Sequence, residues 1–217
     1  MEVYEAIEKR RTVRSFKQGI PDTELRKILL AGTKAPSGSN AQPWEFIIVD
    51  NPKLIEQIAE HKYQQTLKMT LSDDPKILQQ ITGLKNQKTL EINLSTERAM
   101  NQKNAYRNCT VIAVCNRKEQ KGQRKAWMNI ENIASTWMCI ENMALAATAD
   151  GLGIVTSIFR EEDKVAVEKL LGILEEYELA TMVLLGVQGQ APGERMRATS
   201  LDASRLHRNK FGTPADR

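Results

Sequence analysis

The stretch NIENIASTWMCIENMALAATAD, residues 129–150, has few charges and almost no polar face. Its spacing predicts a helix over about 129–149, capped by Gly151. Ile133, Trp137, Ile140, Ala144 and Ala147 make one stripe, while Met138, Cys139, Met143 and Leu145 cover other faces. A helix apolar nearly all round has to be buried, inside its own domain or against a second subunit. Whatever this chain folds into must therefore surround that helix.

The flanking elements say what surrounds it. Val3, Ile7 and the stem of Arg11 sit at helical spacing in EVYEAIEKRR, residues 2–11. In PDTELRKILLAGTKAPSG a helix starts at Asp22 behind Pro21, turns Leu25, Ile28 and Leu29 inward, and stops between Gly32 and Pro36. WEFIIVD (44–50) and TVIAVC (110–115) read as strands, the second buried. GIVTSIF and LATMVLLGVQG supply two more around a helix at 161–171. Residues 52–105 are polar and helix-permissive, broken by SDDPK. Helices and strands do not alternate as βαβ units, so the expected class is α+β, a sheet wrapped by helices. The 217 residues contain no repeat and no linker rich enough to divide them, so one domain spanning 1–217 is expected.

Several function classes drop out. No run of eighteen apolar residues exists, so no membrane-spanning helix is expected. The N-terminus is acidic and amphipathic, unlike a secretory signal. Cys109, Cys115 and Cys139 are odd in number and widely spaced, which predicts reduced, buried thiols and a cytoplasmic protein. The net charge of +4 is mild, and aromatics are only 5%, so nucleic acid is not an expected partner. His61 and His207 lie in unrelated polar surroundings, leaving little material for a histidine triad or metal site. Both Gly-rich stretches, GLGIV and GVQGQAPG, fail the dinucleotide pattern GxGxxG. A chain so poorly supplied with acid–base side chains, if an enzyme, leaves the hard chemistry to a cofactor.

Two segments bear on such a cofactor. KRRTVRSF, residues 9–16, crowds four cations into six positions. Cations at a helix C-terminus can be merely structural, but guanidinium forks beside a hydroxyl and loop amides also suit phosphate. APSGSNAQPWEF, residues 35–46, reads as a turn between helix and strand; the same turn can offer backbone and side-chain amides to a polar heterocycle. RRTVR, APSGSNAQPWEFIIV, MALAATADGLGIVTSIF and LLGVQGQAPGERMRA, taken in order, resemble the nitroreductase family of FMN flavoproteins. The resemblance runs end to end except for about 52–100, a divergent helical segment in the region that covers the substrate in the family.

The resemblance implies an α+β homodimer with a mixed, mainly antiparallel sheet, its long central helix at the dimer interface and FMN bound there. It implies hydride transfer from NAD(P)H through flavin N5 to a small organic acceptor such as a nitroaromatic, quinone or enone. Carried over by position, Arg10 and Thr12 meet the FMN phosphate and ribityl, Arg11 lies between them, and Arg14 reaches the pyrimidine edge as the catalytic cation. Pro36, Ser37, Gly38, Asn40 and Gln42 match the loop that the partner subunit lays against the flavin. Asn101 stands where many members place a ring-contacting asparagine. Arg195 and Arg197 match a C-terminal basic pair at the phosphate. Thr12 replaces the usual serine. Val155-Thr156-Ser157-Ile158 replaces a Trp–Ile–Gly or Pro–Ile–Glu–Gly run whose backbone amide donates to N5, so Thr156, Ser157 and Ile158 are candidate cofactor contacts. The lid residues of the iodotyrosine deiodinase branch are not recognisable, although that branch shares the APSG loop. The alternatives are a reduced-flavin enzyme of another branch (dehalogenation, oxidation or flavin breakdown), a flavin-binding module without turnover, and a weak RNA-binding protein.

Overall fold

A computed structural model describes residues 1–71, 88–118, 127–190 and 203–213. In chain order the main elements are α1 (Val3–Lys9), β1 (Phe16–Gln18), α2 (Asp22–Thr33), β2 (Trp44–Val49), α3 (Pro52–Leu71), α4 (Lys88–Asn104), β3 (Thr110–Arg117), α5 (Trp127–Ala149), β4 (Gly153–Ser157), α6 (Glu161–Leu171) and β5 (Tyr177–Gln188). Single 3-10 turns occupy Gly38–Asn40 and Ala203–Arg205. The break expected at SDDPK, residues 72–76, lies outside the described residues; α3 ends before it in the sequence and α4 begins after it.

The five strands form one sheet of order β1–β5–β3–β2, with β4 also paired to β5. Among the described residues the four strand pairings are antiparallel, and a parallel bridge joins Thr12 to Ile154. The middles of β3 (Val111–Cys115) and β5 (Met182–Leu185) are apolar and buried because both faces of the sheet are covered. Val111 and Ala113 of β3, with Met182 and Leu184 of β5, face a core completed by Ile58, Tyr106 and Val167 from the α3, α4 and α6 side. The alternate residues Ile112, Val114, Val183 and Leu185 face a second core with Leu25 and Ile28 of α2 and Cys139, Ile140 and Met143 of α5. The alternation is the period-two side-chain rule of a strand, applied twice.

α5 is buried along only part of its circumference. Thr136, Cys139, Ile140, Met143 and Ala147 face inward, whereas Ile133 is 42% and Met138 41% exposed. The stripe expected from the sequence is thus split, with Ile140, Ala144 and Ala147 in the core and Ile133 outside. Gly32 lets α2 approach α5: an added Cβ would meet Met143 Cγ at 2.7 Å. After Ala149 the chain turns left-handed at Gly151 (φ 74°), and the Leu152 amide donates to the Ala147 carbonyl at 2.8 Å. That closes the helix end as its glycine predicts. The three cysteines are free thiols, each pushed up to about 12 by burial. Among the described residues no helix is long and apolar enough to cross a membrane.

Candidate functional site

Residues 12–14 leave α1 in extended conformation and run beside β4. The Val13 amide donates to the Ile154 carbonyl at 3.0 Å. Contact this close needs Gly153, where an added Cβ would lie 2.6 Å from Val13 Cγ1. Ser15 then ties the segment to the end of β5: its carbonyl accepts from the Gly189 amide at 2.8 Å, and its Oγ from the Gln190 amide at 3.1 Å. Val13 is buried in the core and Arg14 is on the exposed side. Alternation in an extended strand decides that division.

Arg14 opens on a cavity of about 190 Å³, which Lys62, Gln65, Thr66 and Met69 of α3, Arg98 and Gln102 of α4, and Thr156, Ser157, Ile158 and Arg160 also line. Two α3 side chains hold the far wall. Gln65 donates to the Ile158 carbonyl at 3.1 Å and accepts from the Arg160 amide at 2.7 Å, acting as a stretch of paired strand. Lys62 Nζ donates to the same Ile158 carbonyl at 2.8 Å and stands 5.5 Å from the centroid of the Phe159 ring. Lys62 is only 9% exposed, and burial, with the like charges of Arg160, Arg14 and Arg98, lowers its pKa from 10.5 to about 8; Asp163 opposes the shift. Ser157 turns its hydroxyl into the core, where it accepts from the buried Tyr106 hydroxyl at 2.9 Å. Burial also raises the Tyr106 pKa.

The residues expected from the sequence are thus distributed. Arg14, Thr156, Ser157 and Ile158 share the cavity. Arg10 pairs with Glu141 of α5 at 3.5 Å. The Arg11 guanidinium donates to the Glu8 and Arg10 carbonyls at 2.5 and 3.0 Å, closing the C-terminal end of α1. Thr12 bridges to β4. Pro36, Ser37, Gly38, Asn40 and Gln42 lie outside the cavity lining. Their loop packs on α5, since a Cβ on Gly38 would meet Glu131 Oε2 at 2.7 Å. Ser39, Asn40 and Gln42 all have positive φ, 49°, 56° and 44°, and such strain in non-glycine residues persists only where the surroundings over-determine it. Gln42 is held by its amide to Ser37 Oγ at 3.1 Å and by its side chain to Asn40 Oδ1 at 3.2 Å. Asn101 is exposed, and its neighbour Gln102 is the one that lines the cavity. Arg195 and Arg197 lie outside the described residues.

Sequence reasoning missed Lys62, Gln65, Arg98, Gln102 and Arg160. The one signal available was polarity, on helices for the first four and just before a helix for Arg160, which is also the mark of an ordinary solvated face. The cavity's donor set suits the pyrimidine edge of a flavin: guanidinium at Arg14, amide at Gln102 and hydroxyl at Thr156 could donate to the acceptors at N1, C2=O and C4=O.

The chain is similar to several known proteins. The family model described as "Nitroreductase family" matches residues 7–187. A protein of Methanothermobacter thermautotrophicus named "Putative NADH dehydrogenase/NAD(P)H nitroreductase" is 28% identical over 215 residues, covering 97% of this chain and 88% of its own. An iodotyrosine deiodinase of Thermotoga neapolitana is 49% identical over 57 residues, 26% of this chain and 31% of its own. Among solved structures, an oxidised iodotyrosine deiodinase bound to FMN and 3-iodo-L-tyrosine superposes with a TM-score of 0.65 at 24% identity, covering 93% and 97% of the two chains. A Bacteroides fragilis nitroreductase with bound FMN superposes at 0.60 and 24% identity, covering 93% and 98%.

Proposed function

The chain belongs to the nitroreductase family, and on that premise we propose that it is an FMN-dependent oxidoreductase that takes a hydride from NAD(P)H and passes it to a small organic acceptor. The observation that carries the proposal is the convergence of Arg14 and the Thr156–Ile158 segment on one cavity. FMN supplies the two-electron chemistry that these side chains lack.

The chain's own residues bind, orient and bias. Arg14 would hold a permanent cation at the pyrimidine edge of the bound flavin and so would favour its reduced, more negative form. Gln65 and Lys62 fix the backbone of Ile158–Arg160, and so would hold one wall of the cavity against the flavin. Arg10, Thr12, Arg195 and Arg197 serve the phosphate, with Arg11 between. A second copy of the chain brings the strained 36–42 loop to the cofactor, which makes the protein a homodimer with its sites at the interface.

A second reading, reduced-flavin dehalogenation, draws on the local deiodinase match and is separated by the same experiment. The purified protein is expected to be yellow, to release FMN on denaturation, to bleach with NADH or NADPH without oxygen, and to regain colour with a nitroaromatic or quinone. Recovery with a halotyrosine alone favours the second reading. FAD, or no flavin after reconstitution, overturns both.

A further inference from the structure

Four of the eleven residues lining the cavity are cations, Arg14, Lys62, Arg98 and Arg160, and no carboxylate lines it among the described residues. They come from four separate places: the segment before β1, α3, α4 and the turn before α6. Asp163 is the acid that acts on Lys62, but its carboxylate is engaged elsewhere, by His61 Nδ1 at 3.1 Å and Lys68 Nζ at 3.5 Å. A buried ammonium among like charges is costly. Here the cost shows as a pKa lowered to about 8, by desolvation first and then by Arg160, Arg14 and Arg98. An anion entering the cavity offsets that cost, because charges attract more strongly where water is displaced.

We propose that the cavity selects electron acceptors carrying an anionic group, with Lys62 and Arg160 as its specificity-determining residues. This rests on the flavin reading above, which assigns Arg14 to the cofactor. For a nitro acceptor the first two-electron step consumes one hydride, originating from NAD(P)H, and one proton. It gives the nitroso compound and releases water.

The test compares 4-nitrobenzoate with its neutral near-isostere 4-nitrobenzamide on the holoenzyme at low salt. The expected kcat/KM ratio favours the carboxylate by at least about tenfold, as one charge-assisted contact implies, and shrinks as salt is added. It also falls as pH rises through about 8, where Lys62, faced by Arg160, Arg14, Arg98 and Asp163, loses its proton. Arg160→Gln keeps the backbone amide that Gln65 holds and removes only the charge, so it should reduce the ratio. Lys62→Gln should reduce it further and abolish its pH dependence. A merely structural defect lowers both substrates alike and leaves the ratio standing. A wild-type ratio near one, or one unchanged in Arg160→Gln, overturns the proposal whether or not Lys62→Gln folds. If the chain takes up no flavin, the reading of the previous subsection fails instead. Calorimetric titration of the same protein with the two nitro compounds then decides the charge preference, and equal affinities overturn it.

Discussion

Arg14 and Val13 are neighbours with opposite fates, one facing the cavity and the other sealed in the core at 4% exposure. The segment cannot slip by one residue without burying a guanidinium, which would cost several kcal/mol. In the proposed site this cation would stand at the pyrimidine edge and favour the reduced, more negative flavin. A charge-assisted hydrogen bond contributes roughly 1.5–3 kcal/mol, and about 30 mV corresponds to ~1.4 kcal/mol for a two-electron couple. Arg14→Gln is therefore expected to lower the midpoint potential by tens of millivolts and to keep its FMN. Arg10→Gln is expected to weaken FMN binding and leave the potential nearly unchanged. Spectroelectrochemical titration checks both; an Arg14→Gln protein at the wild-type potential refutes the assigned role.

At the level of elements, the site depends on how closely two segments can cross. β4 pairs with β5 through Gly153 and Gly186, and each glycine also admits part of the 13–18 segment. A Cβ at 153 would collide with Val13, and one at 186 with the Gln18 carbonyl. Gly153→Ala must push Val13 aside, and Thr12 and Arg14 move with it. Overpacking of this kind costs about 1–3 kcal/mol. The variant is expected to melt earlier in urea and to hold FMN more weakly, read by flavin fluorescence on dilution. Wild-type stability together with wild-type affinity would show that the crossing has slack.

For the whole molecule, the unfinished feature is the outer side of α5 and α1. Ile130, Ile133 and Met138 on α5 are exposed, as are Val3, Tyr4 and Ile7 on α1. α1 packs against α5, and Arg10 links the end of α1 to Glu141. The 36–42 loop also rests on α5, through Gly38 and Glu131. Apolar side chains in this number mark a surface meant to be covered, and in the proposed homodimer a second copy would cover it. Light scattering at micromolar concentration is expected to give twice the chain mass of 24.5 kDa. The double variant Ile133→Glu, Met138→Glu should give monomers with loosened flavin. A wild-type monomer that keeps FMN contradicts the interface.

What the sequence by itself determined is mostly local. Pro21 and Asp22 start α2, Gly151 ends α5, and the apolar runs at 44–49 and 110–115 are strands, because caps and side-chain periods are written within a few residues. The motif RRTVR pointed to Arg14 by resemblance, and the structure brings Arg14 and Thr156–Ile158 to one cavity. β1 was not legible: three residues, Phe16–Gln18, become a strand only by pairing with Val187 and Gln188, far along the chain. Nor was the division of α5, whose apolar residues look alike until α2 and the sheet take one side. Lys62 and Gln65 read as surface residues on a polar helix. They turn inward because α3 packs beside the turn after β4, where the Ile158 carbonyl and the Arg160 amide need partners. Helix and strand propensity act over a few residues; which polar side chains are drawn from water into a cavity depends on contacts across more than ninety.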